Sequence, residues 1–296
     1  MMDKLKIAVS IKALFDMEEE DKIYRTEGLD AYIKYNEENE KVVLKQGTAF
    51  RLVKNLLALN TEEEQIVEVI LMSRASVAVA TRVYKSLKHY KITINRAYFT
   101  SGDAISPYAI SAGVDLYLST TKTDVKNVLD AGIAAGLVRP QKSNTENDGK
   151  GLRIAFDCDQ VLFSDESDKV YQEEGLEKYI ENEKKKMNKP IEAGPFKDLF
   201  IKLGKIQERF ETSNANPIKI AICTARDFQT AQRALNTIKS WGVRIGQAFF
   251  LDGSDKSVVL EAYKADIFFD DSTKNINSTS KVVPSVQVLR EGTNNG

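Results

Sequence analysis

Residues 153–176 read RIAFDCDQVLFSDESDKVYQEEGL, and residues 6–29 read KIAVSIKALFDMEEEDKIYRTEGL. The two segments align without a gap at an offset of 147 residues, with Ile7 falling on Ile154. The register continues through Tyr32 on Tyr179, Gly47 on Gly194 and Leu56 on Leu203. It then resumes at an offset of 151, with Arg82 on Arg233, Phe99 on Phe250, Gly102 on Gly253 and Asp115 on Asp266. Reuse of residue types by two unrelated α/β domains explains such long registers less well than an internal duplication does. The halves should meet in the polar stretch QKSNTENDGKG at 141–151, which has the composition of a linker. The expected organisation is therefore one half at 1–140, a linker at 141–151, a second half at 152–290 and a flexible tail at 291–296.

Within each half, short apolar runs alternate with longer amphipathic ones, as a parallel sheet flanked by helices requires. In the second half LRIAF (152–156), IKIAIC (218–223), QAFFL (247–251) and ADIFF (265–269) read as buried strands. Helices are expected at 194–210 and 228–241, the latter with Asp227 as N-cap and Gly242 just past its end. The fold class is α/β, with two tandem Rossmann-like halves.

A length of 296 residues suits two domains. Forty-two basic against 43 acidic side chains give a net charge of −1, so no electrostatic excess attracts nucleic acid or an anionic membrane. No apolar run approaches the roughly 18 residues that a membrane span needs. Cys158 and Cys223 cannot build a disulfide framework, and His89 alone cannot build a multi-histidine zinc site or a phosphohistidine relay. The expectation is a cytoplasmic protein whose chemistry runs on carboxylates, hydroxyls and lysines, and a homo-oligomer is compatible with it.

Ligands of open parallel sheets bind beyond the carboxyl ends of the strands, so the polar residue closing each apolar run matters most. In the second half these residues are Asp157-Cys158-Asp159, Thr224 and Asp270-Asp271, while Lys256 follows the third strand after a short turn. Acids gathered at one edge repel each other unless a hard divalent cation neutralises them, and an all-oxygen set selects Mg²⁺. Thr224 and Lys256 offer a phosphoryl group a neutral hydrogen bond and a compact positive charge, and a strand-end carboxylate can attack phosphorus. The array suits phosphoryl transfer.

FDCDQVLF, ICTAR, Lys256 and FFDD resemble, in order, the four motifs of the haloacid dehalogenase superfamily. DQVLFSDES, the KP–GP spacing at 189–195, the run from Lys239 to Lys256, and FFDDS are similar to the cytosolic type I 5′-nucleotidases. In the first half, GTAFRLVKNLLALN and HYKITINRAYFTSG resemble the same family, so the likeness covers nearly the whole chain. The resemblance implies that Asp157 is the nucleophile and that Asp159 protonates the leaving nucleoside oxygen and then activates water. It implies that Mg²⁺ is held by Asp157, the Asp159 carbonyl and either Asp270 or Asp271, with Thr224 and Lys256 on the phosphate. A small cap insert is expected at about 163–195. There Phe163, Ser164, Asp165 and Glu166, with Ala225 and Arg226 after the second strand, are candidate substrate contacts.

The first half lacks this chemistry. Ser10 stands opposite Asp157, Lys12 opposite Asp159, Ile105 opposite Lys256, and Ser119 and Thr120 opposite Asp270 and Asp271. That half is expected to be a catalytically degenerate copy serving packing, substrate coverage or effector binding. Together the motifs predict Mg²⁺-dependent hydrolysis of nucleoside 5′-monophosphates through an aspartyl phosphate. The alternatives are a phosphatase for another small monoester such as a sugar phosphate, or a nucleotide-sensing or phospho-accepting protein. A receiver-type phosphoacceptor places its paired acids before the acceptor aspartate, whereas here they come last. Cys158 and Cys223 read as small buried strand residues, and Lys184-Lys185-Lys186 as a solvated helix face.

Overall fold

A computed structural model describes residues 3–140, 151–210 and 216–289. The expected linker, apart from Gly151, and the expected tail lie outside the described residues. The chain divides into two compact units, Met1–Pro140 and Gln141–Gly296.

In the first unit the strands β1 (Leu5–Val9), β2 (Val67–Ser73), β3 (Arg96–Phe99), β4 (Leu116–Ser119) and β5 (Ala134–Val138) pair in the order β3-β2-β1-β4-β5, every pair parallel. In the second unit β6 (Leu152–Phe156), β7 (Ile218–Thr224), β8 (Gln247–Phe250), β9 (Ile267–Asp270) and β10 (Ser285–Gln287) pair in the order β8-β7-β6-β9-β10, again all parallel. The two orders are the same when each unit's strands are taken in sequence. The central strands β1 and β6 are covered on both faces, so LKIAV and LRIAF are nearly continuous apolar runs without alternation.

Side-chain hydrogen bonds follow one plan in both units. The Asp115 and Asp266 carboxylates accept from the backbone N–H of Lys6 and Arg153, each at 2.7 Å. The buried guanidinium groups of Arg82 and Arg233 donate through Nε to the carbonyls of Val42 and Lys189 at 2.9 and 3.0 Å. The hydroxyls of Ser86 and Thr237 accept from the N–H of Leu44 and Ile191 at 3.0 Å.

The gapless register needs one correction. Gly47 and Gly194 keep the offset of 147, but Gly47 N donates to Leu14 O and Gly194 N to Leu162 O, partners that are 148 apart. The loop after β6 is therefore one residue longer than the loop after β1. The extra residue sits in a wide turn closed by Phe163 N on Cys158 O at 2.9 Å, with Gln160 at φ +61°. Asp159 and Gln160 together occupy the place of Lys12, and the offset is again 147 at Gly28 and Gly175, both at strongly positive φ.

Helix starts also differ from expectation. The helix expected at 194–210 runs Lys197–Arg209, because Gly194 and Phe196 are tied back to Leu162 and Val161 through their N–H groups. The helix expected at 228–241 runs Ala231–Ser240. Asp227 spends its carboxylate on the N–H groups of Gln229 and Thr230 and so closes a turn ahead of the helix.

Gly194 marks the tightest backbone approach in the second unit. A Cβ there would lie 2.6 Å from Val161 O and closer still to Phe163 O, both immovable main-chain atoms. Gly194→Ala is expected to lose about 2–3 kcal/mol in denaturant unfolding. Gly246→Ala, whose Cβ would meet nothing nearer than Ile220 O at 3.9 Å, should change stability by about 0.5 kcal/mol or less.

Candidate active site

Four rings fix the strands that carry the acids. Phe156, the last residue of β6, stacks on Phe269 of β9 at 5.1 Å and meets Phe200 edge-on at 5.4 Å, while Phe196 packs on Phe269 at 5.1 Å. The residue after Phe156 is Asp157, and the residues after Phe269 are Asp270 and Asp271. Adjacent parallel strands thus deliver three carboxylates to one edge, where oxygens of Asp157, Asp270 and Asp271 lie within 4.8 Å of one another.

Lys256 begins the helix Lys256–Tyr263, and its ammonium enters this cluster from the side. Its Nζ lies 2.8 Å from Asp157 and 2.7 Å from Asp270, and the side chain is almost wholly buried. Asp270 also accepts from Ser272 N at 2.8 Å and from Asn275 Nδ2 at 3.0 Å. Asp157 has no comparable set of donors. Burial holds its carboxyl well above the ordinary carboxylate range; Lys256 pulls it down, and Asp270 and Asp271 push it up again. One lysine against three buried acids leaves an excess of negative charge. The donors are all hard oxygens, so the trio fits a divalent cation such as Mg²⁺.

Thr224 closes β7, next to β6, and its hydroxyl accepts from Arg226 N at 3.2 Å. The Ala225 carbonyl accepts from Gly253 N, which ties this loop to the turn before Lys256. Arg226 is one of the candidate substrate contacts, but its guanidinium faces protein acids. Nε and one terminal nitrogen grip the two oxygens of Asp159 at 2.8 and 2.6 Å, and the other terminal nitrogen reaches Glu183 at 2.6 Å. The Asp159 carboxylate is therefore taken up by Arg226 and is not a member of the acidic trio. Any part of Asp159 in metal binding falls to its backbone carbonyl.

The insert residues scatter. Phe163 is fully buried, bridged to Ala193, packed against Trp241 at 5.5 Å and faced by the Arg226 guanidinium at 5.9 Å. Ser164 accepts from Glu166 N, and the half-exposed Asp165 pairs with Lys169. Glu166 takes both oxygens to Arg233 at 3.0 Å and also pairs with Lys186 at 2.8 Å, so Lys186 is not merely part of a solvated face. Arg233 donates in turn to Glu183 at 2.9 Å, and Ser167 donates to it at 3.0 Å. Asp159, Arg226 and Glu166 were candidates in the sequence, but their linkage through Glu183 and Arg233 is the part of the site that sequence reasoning missed. Arg82 on Arg233 was its one visible signal. Cys158 and Cys223 are buried free thiols; Cys223 lies in β7 as expected, whereas Cys158 lies in the helical turn past the end of β6 and not in the strand.

A parallel α/β unit whose carboxyl edge bears a buried, metal-capable aspartate trio bridged by a lysine defines a class built to handle phosphoryl groups. The chain belongs to the 5′-nucleotidase family, whose model matches residues 1–295. It is 34% identical over 289 residues to human cytosolic 5′-nucleotidase 1B, covering 94% of this chain and 47% of that protein, so the chain spans about half the length of this relative. Among solved structures, a histidinol dehydrogenase from Elizabethkingia anophelis aligns over 96% of this chain and 80% of its own at 8% identity. Its TM-score of 0.23 carries no weight for the fold. Among the described residues, no helix is long and apolar enough to cross a membrane.

Proposed function

We propose that this chain hydrolyses nucleoside 5′-monophosphates to nucleoside and inorganic phosphate, through a phosphoryl group carried transiently on Asp157. The observation that carries this reading is the buried Asp157–Lys256–Asp270 bridge at the edge of β6 and β9, in a chain of the 5′-nucleotidase family. Asp157 with Asp270 or Asp271, and the Asp159 carbonyl, would hold Mg²⁺. When bound, the ion supplies charge neutralisation for the trio and for the incoming phosphate.

An Asp157 oxygen attacks phosphorus, the bond from phosphorus to the nucleoside oxygen breaks, and Asp159, protonated on the oxygen that one of its two bonds from Arg226 has released, gives the leaving oxygen that proton. Asp159 then takes a proton from water as the water oxygen attacks phosphorus. The bond between phosphorus and Asp157 breaks, releasing phosphate and restoring both acids. Lys256 and the Thr224 hydroxyl stabilise the negative oxygens of the transferring group. Arg226 aims Asp159, and the Arg226–Glu183–Arg233 chain anchors that aim to the helix Glu166–Lys185.

We read the two units as copies of one haloacid dehalogenase-like ancestor. The common strand order, the shared hydrogen-bond plan and the matched registers support that reading. The first unit, with Ser10, Ser119 and Thr120 at the strand ends, is then inert in catalysis. The relative's name and the scarcity of cysteine support a cytosolic working place. The test is phosphate release from a panel of nucleoside 5′-monophosphates and sugar phosphates, with Mg²⁺ or with excess chelator. Release confined to nucleotides and abolished by chelator is expected; release from sugar phosphates alone would keep the mechanism and replace the substrate.

A further inference from the structure

The carboxyl edge of the first unit holds a cavity of about 500 Å³, within the size range of small-molecule sites. It lies at the ends of the strands that match, in sequence register, those carrying Asp157 and Thr224 in the second unit. Ser10 at the end of β1 takes the place of Asp157, and Arg74 after β2 takes the place of Ala225. Its lining includes Tyr24 and Tyr32, whose rings meet edge-on at 5.9 Å and 82°. Tyr171 and Tyr179 make the same pair in the second unit, at 6.0 Å and 86°. The aromatic pair is thus present in both units, while the reactive carboxylates are present in only one.

Two further features point to a ligand. Tyr117 on β4 lines the cavity, and its fully buried hydroxyl makes no well-formed hydrogen bond, although the Ser119 side chain is near enough to interact with it. A buried hydroxyl left unpaired costs about 1–3 kcal/mol, which a polar group of a ligand would offset. The charge of the edge has also changed. Where the second unit sets Asp157, Asp270 and Asp271 around a single lysine, the first sets Ser10, Ser119 and Thr120, with Lys12 and Arg74 on the cavity wall. The cavity wall also carries Glu20, Asp21 and Asp124, but each of these acids is paired, with Arg82, Lys12 and Arg74 respectively, and none stands at the strand-end positions of Asp157, Asp270 and Asp271. Lys12 is paired with Asp21, and Arg74 with Asp124 at 3.5 Å. Both cations remain about half exposed, at 46% and 44%, and Arg74 is also held by the Gly102 carbonyl at 2.8 Å, so each can turn to a phosphate at the cavity while staying beside its acid.

We infer that this cavity is a second binding site, which holds a nucleoside 5′-monophosphate intact and without metal. The phosphate sits between Lys12 and Arg74, the base lies against Tyr24 and Tyr32, and the Tyr117 hydroxyl finds its partner on the ligand. No bond is broken, because no carboxylate stands where Asp157 and Asp159 do. The ligand class rests on the nucleotidase reading; the site itself rests on the cavity.

The test is equilibrium dialysis of the full-length protein with adenosine 5′-monophosphate in excess chelator, with phosphate release in Mg²⁺ measured on the same preparation. The expected result is one nucleotide bound per chain, recovered unhydrolysed. It should bind at least tenfold more weakly in the Lys12→Ala, Arg74→Ala double variant, whose replaced side chains are both substantially exposed. Tyr117→Phe should also weaken binding while leaving the thermal unfolding temperature of the free protein nearly unchanged, since the hydroxyl it removes makes no well-formed hydrogen bond there. No saturable binding, or binding unmoved by both variants, overturns the inference even if Mg²⁺-dependent phosphate release is intact. Adenosine binding as tightly as its monophosphate would overturn the phosphate assignment. Metal-free binding that depends on Lys12 and Arg74, with no phosphate release from any nucleotide, would sustain the site and overturn the hydrolytic reading instead.

Discussion

Asp157→Asn is expected to lower phosphate release from nucleoside monophosphates by on the order of 10⁴–10⁶-fold while leaving the fold intact. The variant keeps the shape and one acceptor oxygen of the carboxylate but cannot form the phosphoryl bond, so no turnover should pass through position 157. The loss of charge separates catalysis from stability. In the wild-type protein, burial and the neighbouring Asp270 and Asp271 hold the Asp157 carboxyl well above its ordinary value near 3.8, although Lys256 opposes them. An acid raised on folding destabilises the folded state once the pH exceeds its unfolded value, and the deficit grows until the folded value is passed. In chelator near neutral pH, the asparagine variant should therefore be as stable as the wild type or more so, and that difference should shrink as the pH falls towards 4. Thermal unfolding of the two proteins across that range measures it. A variant that releases phosphate at the wild-type rate would remove Asp157 from the mechanism.

The acids of the site were legible because each directly follows an apolar run. RIAF, IKIAICT and IFFD become strands on hydrophobic pattern alone, and parallel packing then brings Asp157, Thr224 and Asp270 to a common edge. Lys256 was legible by order but not by geometry. Nothing in GSDK says that the lysine opens a helix capped by Asp255 and reaches back to two carboxylates. The longer loop after β6 was concealed because its extra residue is compensated before Gly175, so the printed sequences still align without a gap. The insert residues misled for a related reason. Phe163 and Glu166 sit beside the catalytic loop in sequence, yet one closes the core and the other answers Arg233, 67 residues away. Arg226 to Glu183 spans 43 residues and Arg233 to Glu183 spans 50. Ion-pair chains of that kind obey no spacing rule. They arise when a charged side chain is buried by neighbours that were chosen for other reasons and must be answered by whatever element lies nearest.

That chain carries the second large effect. The Arg226 side chain is 3% exposed, and its three-pronged grip on Asp159 and Glu183 uses the planar fork that only a guanidinium offers. Arg226→Ala should destabilise the protein by about 3–5 kcal/mol, since Asp159 loses both bonds and buried Glu183 is left with Arg233, Ser167 and a long contact from Asn182, all on its other oxygen. Because that loss could mask any effect on turnover, the informative variant is Arg226→Lys, which retains the charge but cannot hold both oxygens of Asp159 and still reach Glu183. With the proton-transferring carboxylate free to drift by about an ångström, kcat should fall about 10²-fold with KM little changed. A guanidinium whose task was to hold the substrate would give the opposite split, with KM raised and kcat preserved. Steady-state kinetics of Arg226→Lys at saturating Mg²⁺ therefore decides between aiming the acid and gripping the nucleotide, and the two bonds from Arg226 to Asp159 favour aiming.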